Sequence, residues 1–398
     1  MILLSGVRKY LSNWWQKAAL LQEPDATATL QSWQTFNRDE RRWTALVSDN
    51  SSRTATSASD SNQRSGRKET ATLTLWTWNV DAFEKYPEAR MNGIITTIQN
   101  HALPSDVLFF QEISRAALNS LLAHPWIRDN WYSSEVNDAN WAEQQFGTIT
   151  LLSKHSFDHG SRANTPKSRL GLVWRVKYPT RFGRDALCCE VFLAPTGVPV
   201  RLVNVHLDSL PIQPNLRPRQ LAIVAGMLHS AGHGLVAGDF NPVLPADDAL
   251  VTENRLIDAW AELHPREDGF TWGIDGQQPF PPARLDKIAM VGLQPQEIEV
   301  IHPGMLPMEE CSGVGVKQPG SDEGLNDNDE ANDSIPWSDH SGIRCNFKSR
   351  RYYCATLALG TYTPYHDKLK GITLCIPTQR GCSAFVDDSR LPFVVLLP

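Results

Sequence analysis

The sequence predicts an α/β sandwich, two sheets packed face to face with helices on the outside. Strand-length apolar runs far outnumber helical stretches, two separate units read helix then buried strand, and no internal repeat at a fixed period is visible.

The elements follow in chain order. Ser48 to Thr70 is dominated by Ser, Thr, Asp, Asn, Arg and Lys. Such composition buries too little to offset its own ordering entropy and reads as a disordered linker. Residues 1–70 are therefore an N-terminal extension, and the folded domain is expected to span 71–347. Thr72 to Val80 alternates polar and apolar residues as a half-buried strand does. Met91, Ile94, Ile95 and Ile98 recur at helical spacing, and the apolar run Val107 to Phe110 follows after Pro104-Ser-Asp106. Thr148 to Leu152, Leu170 to Val176 and Ala186 to Leu193 are further strands. Val200 to Leu207 begins a second unit, with a helix marked by Leu221, Val224, Ala225 and Leu228 that stops near Gly232, then the strand Leu235 to Ala237. Arg284 to Val291 and Gly342 to Phe347 close the set. Residues 309–335 are rich in Glu, Asp, Asn, Gly and Ser and read as an acidic mobile loop, without the ligand spacing of a calcium-binding EF-hand. Residues 348–398 are a C-terminal extension with no functional signal.

The chain has 398 residues and a net charge of −6, from 38 basic and 44 acidic side chains. That balance excludes holding nucleic acid by overall charge alone. Seven cysteines without a CxxC pair argue against a disulfide framework and a zinc site, and for a reducing compartment. No apolar run reaches the ~20 residues of a membrane span. Met1 to Leu21 is basic and free of acids; it reads as a short amphipathic helix and leaves organelle targeting open.

Chemistry is concentrated where strands end. Asn79, Glu112, His206, Asp239 with Asn241, and Asp339 with His340 each sit at the limit of a strand-like run, and Asp286 interrupts another. Taken singly, each has a structural explanation, because Asx residues favour turns. Jointly, they would gather at one edge of the sandwich. Clustered acids raise one another's pKa or demand a counter-ion, and a hard ion taking oxygen ligands, Mg²⁺ with Mn²⁺ as substitute, resolves that cost. Phosphodiester hydrolysis needs charge stabilisation, a positioned water and a proton for the leaving oxygen. Glu112 can hold the metal, Asp239 can orient or deprotonate the water, Asn79 and Asn241 can donate uncharged hydrogen bonds, and His206 and His340 can serve the phosphoryl oxygens. Which histidine is the general acid stays open.

Thr77-Trp-Asn79, Gln111-Glu112, Val205-His-Leu-Asp-Ser209, Gly238-Asp-Phe-Asn241, Thr271-Trp272, Arg284-Leu-Asp286 and Ser338-Asp-His-Ser-Gly342 occur in an order that resembles the endonuclease/exonuclease/phosphatase superfamily, and within it the 5′-tyrosyl-DNA phosphodiesterase branch. The resemblance implies a four-layered α/β/β/α sandwich of two mixed sheets, Mg²⁺ dependence, and hydrolysis of a 5′-phosphotyrosyl DNA linkage in DNA repair. It implies catalytic roles for Asn79, Asp239, Asn241 and His340, metal binding by Glu112, and contacts to the substrate's 5′ end from residues 79–83 and 206–209. His206, Asp286 and Asp339 join the candidate catalytic set, and Asp81, Phe83, Asp208, Ser209, Trp272 and Arg284 are the candidate substrate contacts. The partner would be DNA with a blocked 5′ end, single-stranded near that end, in the nucleus or cytoplasm. Two departures bear on substrate: Val243 stands where that branch reads Arg, and Asp208 where it reads Glu. Abasic DNA, an RNA end or a phospholipid headgroup is the alternative. Arg162, Lys167, Arg169, Arg181 and Arg184, with Trp260 and Trp272, are candidate contacts to a DNA strand, each with an equally good reading as loop charge or core aromatic.

Overall fold

The computed structural model describes residues 26–46, 72–159, 167–276, 278–306 and 335–349. The strands are β1 (Thr27–Gln31), β2 (Gln34–Asn37), β3 (Arg42–Ala45), β4 (Thr72–Asn79), β5 (Val107–Ser114), β6 (Trp131–Ser133), β7 (Phe146–Ser153) and β8 (Phe157–Asp158). They continue with β9 (Ser168–Lys177), β10 (Asp185–Leu193), β11 (Val198–His206), β12 (Gly234–Asp239), β13 (Ile257–Asp258), β14 (Asp286–Val291), β15 (Leu293–Ile301) and β16 (Gly342–Ser349). The longer helices are α1 (Pro87–Asn100), α2 (Arg115–Ala123), α3 (Pro125–Asn130) and α4 (Arg217–Ala231), followed by the short α5 (Leu250–Glu253) and α6 (Ala259–Leu263).

The strands form two mixed sheets of eight. One runs β1-β9-β10-β11-β12-β14-β13 with β8 beside β9, and the other runs β15-β16-β4-β5-β7-β6-β2-β3. The parallel pairs are β4–β5, β11–β12 and β8–β9; the first two are the helix-connected units expected from the sequence.

Alternation along each strand sorts side chains into three cores. Leu75, Phe109, Leu187, Leu235, Ile288 and Cys345 meet between the sheets. Trp76, Trp78, Leu108 and Phe110 point the other way, onto Met91, Ile94, Leu118 and Leu121 of α1 and α2. Val203, Val205 and Val236 pack outward on Leu221, Val224 and Leu228 of α4. The result is helix, sheet, sheet, helix, as expected. Because central strands are covered on both faces, they read as nearly unbroken apolar runs.

The domain does not begin at 71. Residues 27–45 supply β1 at the edge of one sheet and the β2–β3 hairpin at the edge of the other. Trp33, between them, is buried in the inter-sheet core, and its Nε1 donates to the Gly171 carbonyl at 3.0 Å. The composition hid this because β1 is exposed along four of its five residues and β2–β3 are mostly polar, so edge pairing left no apolar period to read. The opening helix of Met1 to Leu21, the linker Ser48 to Thr70, the acidic loop up to residue 334 and the extension from 350 onward lie outside the described residues. Among the described residues Cys188, Cys189 and Cys345 are buried free thiols, and no helix is long and apolar enough to cross a membrane.

Candidate active site

Strand register places the polar residues. Where β11 and β12 stop and β14 starts, His206 lies opposite Asp239 and Asp239 opposite Asp286. In the other sheet Asn79 lies opposite Gln111. One step further, a bulge in β5 between Phe110 and Ile113 turns Glu112 into the left-handed region at φ 54°. Such a backbone costs a non-glycine residue about 1–3 kcal/mol and is characteristic of functional sites. Before Asp239 the chain needs glycine: Gly238 has φ 136°, and a Cβ there would stand 1.9 Å from the Val205 carbonyl oxygen.

Asn79 stitches the sheets together. Its Nδ2 donates to Asp239 Oδ2 at 3.1 Å and to Glu112 Oε1 at 3.4 Å, while its Oδ1 accepts from the Asp81 N–H at 3.0 Å. Glu112 Oε2 accepts from the Ala82 N–H at 3.2 Å. Asp239 Oδ1 accepts from the Asn241 N–H at 2.9 Å, and the Asn241 amide donates to the Leu207 carbonyl at 3.2 Å. His206 Nε2 lies 3.5 Å from Asp239 Oδ2 and 3.7 Å from Glu112 Oε1. His340 Nδ1 and Asp286 Oδ2 are 2.7 Å apart, and His340 Nε2 faces Asp239 Oδ2 at 4.0 Å.

The electrostatics separate the two imidazoles. Burial, Arg184 and His340 together push His206 well below its usual pKa, outweighing the two nearby carboxylates, so it is a neutral ring. Burial also acts against charge on His340, but Asp286, Asp339 and Asp239 overcome it and hold its pKa well above 6.5. His340 thus carries positive charge into the site, its Nδ1–H donating to Asp286 and its Nε2–H aimed toward Asp239. Burial raises Asp239 to about 7, with Asp286 and Glu112 adding to the shift and His340 opposing it. Asp81 is raised to about 7 by burial and by Asp339.

Buried acids at this density either hold their protons or need positive charge beside them, and a divalent ion fits the second case. Glu112 would hold it, with the Asp239 carboxylate alongside and Asn79 Nδ2 bridging the two. Among the described residues no three His, Cys, Asp or Glu side chains converge into a cage. A hard ion such as Mg²⁺ binds through one or two carboxylates and fills its remaining positions with water and phosphate oxygens.

The remaining sequence candidates fall into three groups. Asp81 and Phe83 rim the mouth, and Phe83, 59% exposed, meets Phe146 edge-on at 5.3 Å between ring centroids. Trp272 Nε1 donates to Asp339 Oδ2 at 3.0 Å, so these two form one wall. Asp208, Ser209 and Arg284 are engaged inside the protein. Asp208 accepts from Thr180 Oγ1 and, at 2.9 Å, from the Arg181 N–H; Ser209 Oγ accepts from Arg184 Nη2 at 3.2 Å; and Arg284 makes two 2.8 Å bonds to Asp258. Among the DNA-contact candidates, Lys167 donates to the Lys154 carbonyl, Arg169 covers the Phe192 ring, and Trp260 stacks on His264 and bonds the Glu267 carbonyl. Arg162 lies outside the described residues.

Sequence reasoning missed Phe146 and underrated Arg184. The Arg184 guanidinium lies 4.8 Å from the Phe146 ring centroid, and Phe146 stacks beside His206. Both residues sit at the start of a strand or just before it, whereas the polar signal in the sequence stands where strand-like runs end. Trp141, Gln144, Arg175 and Asp185 complete a small pocket around them that opens on His206.

Comparison with known proteins agrees with this fold. The structure of a D. rerio TDP2 humanized by 14 mutations is similar at 21% identity and a TM-score of 0.53, covering 70% of this chain and 99% of that one. D. rerio TDP2 complexed with single strand DNA product is similar at 20% identity and a TM-score of 0.52, covering 70% of this chain and all of that one. These likenesses are to the fold. No curated protein sequence matches the chain significantly. The model of the Endonuclease/Exonuclease/phosphatase family matches residues 76–359. With that match over most of its length, the chain belongs to the endonuclease/exonuclease/phosphatase family, whose members are phosphoesterases and generally metal-dependent.

Proposed function

We propose that the chain is a Mg²⁺-dependent phosphodiesterase that hydrolyses a 5′-phosphotyrosyl DNA linkage. The observation that carries the reading is the mouth of the site, where a guanidinium and two aromatic rings stand next to a hydrolytic centre: Arg184 over Phe146, Phe146 against Phe83 and beside His206. A phenolic leaving group is flat, apolar and, with a pKa near ~10, departs as an anion with little protic help. An aromatic cradle with one guanidinium suits that group better than it suits a sugar alkoxide.

The chain's own residues then divide the work. Asp239, buried between Asn79 and the two imidazoles, can orient water and take its proton. Asn79 and Asn241 supply uncharged donors. His340, charged and fixed by Asp286, offers Nε2–H to a phosphoryl oxygen, and neutral His206 offers a second contact. A bound Mg²⁺ at Glu112 would polarise the phosphate and offset its charge. The exposed Phe83, with Phe270 and Phe280, offers faces on which unpaired bases stack at about 1–3 kcal/mol each, in keeping with a DNA end single-stranded near the break.

A second reading keeps the chemistry and changes the substrate. Val243 replaces the cation that the resembling branch carries there, and it is exposed, as is Leu210. The missing cation at that position is what favours an abasic site, an RNA end or a phospholipid headgroup as the substrate. Turnover of a 5′-phosphotyrosyl oligonucleotide, an abasic duplex, a short RNA and phospholipid vesicles, with Mg²⁺ and with excess chelator, separates the two. Tyrosine release that chelator stops supports the first; its absence beside turnover of another substrate removes it.

A further inference from the structure

Arg90 lies in the first turn of α1, where the helix dipole disfavours a cation. It is 1% exposed, and among the described residues no carboxylate oxygen lies within ion-pair distance, although Asp81, Glu84, Asp339 and Glu112 are near enough to favour its charge. Every guanidinium N–H is instead spent on backbone. Nε donates to the Lys85 carbonyl at 2.9 Å, Nη1 to Val80 at 2.9 Å and Trp337 at 2.7 Å, and Nη2 to Asp81 and, at 3.4 Å, Glu84.

Those five carbonyls belong to two segments. The first, residues 80–85, carries Asp81 and Phe83. The second runs from Trp337 into Asp339 and His340, and is tied to β4 by Ser338 Oγ on the Asn79 carbonyl at 2.6 Å and by Trp78 Nε1 on the His340 carbonyl at 2.9 Å. The Trp337 ring also rests on α1, so close to Gly93 that a Cβ there would stand 2.4 Å from its indole nitrogen. A planar five-donor fork reaches all the acceptors at once; a lysine ammonium, with three donors on a point, cannot.

We propose that Arg90 is a positioning residue that clamps the 80–85 segment to the 337–340 segment, so that Asp81 and His340 face one reacting phosphate. The inference rests on the phosphodiesterase reading of the site. A helix-stabilising role does not explain it, since the position is unfavourable for the helix and every contact lies outside the helix.

The test compares Arg90→Lys, Arg90→Met and Gly93→Ala with the wild type. Amide hydrogen exchange is measured by segment, and kcat and KM are measured separately on p-nitrophenyl thymidine 5′-phosphate with Mg²⁺. Gly93→Ala leaves Arg90 in place and displaces Trp337, so it decides the matter if the arginine variants fold poorly. The clamp predicts faster exchange confined to 80–85 and 337–341, a kcat lower by about 10- to 100-fold with KM little changed, and no rescue by lysine. A folded variant with wild-type kcat, or protection lost evenly through β4, α1 and β5, overturns the proposal. If the wild type hydrolyses no phosphodiester, the functional reading fails, and the exchange pattern still shows whether Arg90 holds the two segments.

Discussion

Replacing Asp286 with asparagine isolates what its charge does for His340. The carboxylate is fully buried, its Oδ2 is 2.7 Å from His340 Nδ1, and its own N–H is held separately by Thr271 Oγ1 at 3.0 Å. The strand end therefore stays in place when the charge is removed. Opposite charges ~4 Å apart interact by about 4 kcal/mol at an effective dielectric of ~20. An asparagine recovers part of the hydrogen bond, and the imidazole can shed its proton, so the stability loss should be no more than about 1–3 kcal/mol. The rate suffers more. A charged donor aimed at the transition state is worth about 3–4 kcal/mol, and losing it lowers kcat by roughly 100- to 1000-fold. Because Asp286 raises the His340 pKa, the wild-type proton is held above the usual 6.5 and lost only as pH climbs through the folded value. In Asp286→Asn the alkaline limb of the kcat profile should move to lower pH. A variant that keeps wild-type kcat and an unmoved alkaline limb would refute the assignment of His340 as a charged donor.

Three further outcomes are expected. Glu112→Gln keeps the fold, because its side chain is only partly buried, and abolishes metal-dependent turnover; circular dichroism with an activity assay checks both. Trp33→Ala destabilises the protein by about 3–5 kcal/mol in urea unfolding, since it empties a core site and removes the bond to Gly171; a loss below about 1 kcal/mol would show that the N-terminal strands are dispensable. Asp239 and Asp81 both have folded values of about 7 against the ordinary 3.8, so their contribution to stability is full below 3.8 and fades as pH rises toward 7. A bound cation favours the ionised forms, and Mg²⁺ affinity by calorimetry should strengthen between those limits; a flat profile would contradict the acid cluster as the ion's seat.

Much of this was legible in the sequence because central strands announce themselves. Leu75, Phe109, Leu235 and Ile288 lie in runs covered on both faces, and the polar residues that end those runs, Asn79, Asp239 and Asp286, stand out against them. Glu112 was readable as a strand end, but not its bulge or its left-handed backbone, which only pairing with β7 reveals. The edge strands β1 to β3 were illegible because exposed pairing leaves no period. Arg284 was misleading for another reason: its motif position suggests a substrate contact, while the fold turns it onto Asp258, the cap of α6. Arg90 and Phe146 carry no local signal, since their importance comes from segments 247 residues and 60 residues away in sequence.

The central claim is that Glu112 and its neighbours at the strand ends seat one hard cation. Anomalous diffraction from crystals soaked in Mn²⁺ tests it without reference to any substrate. A peak beside the Glu112 carboxylate that disappears in Glu112→Gln is the expected result. No peak there, or a manganese ion bound elsewhere and unaffected by the substitution, would contradict the claim.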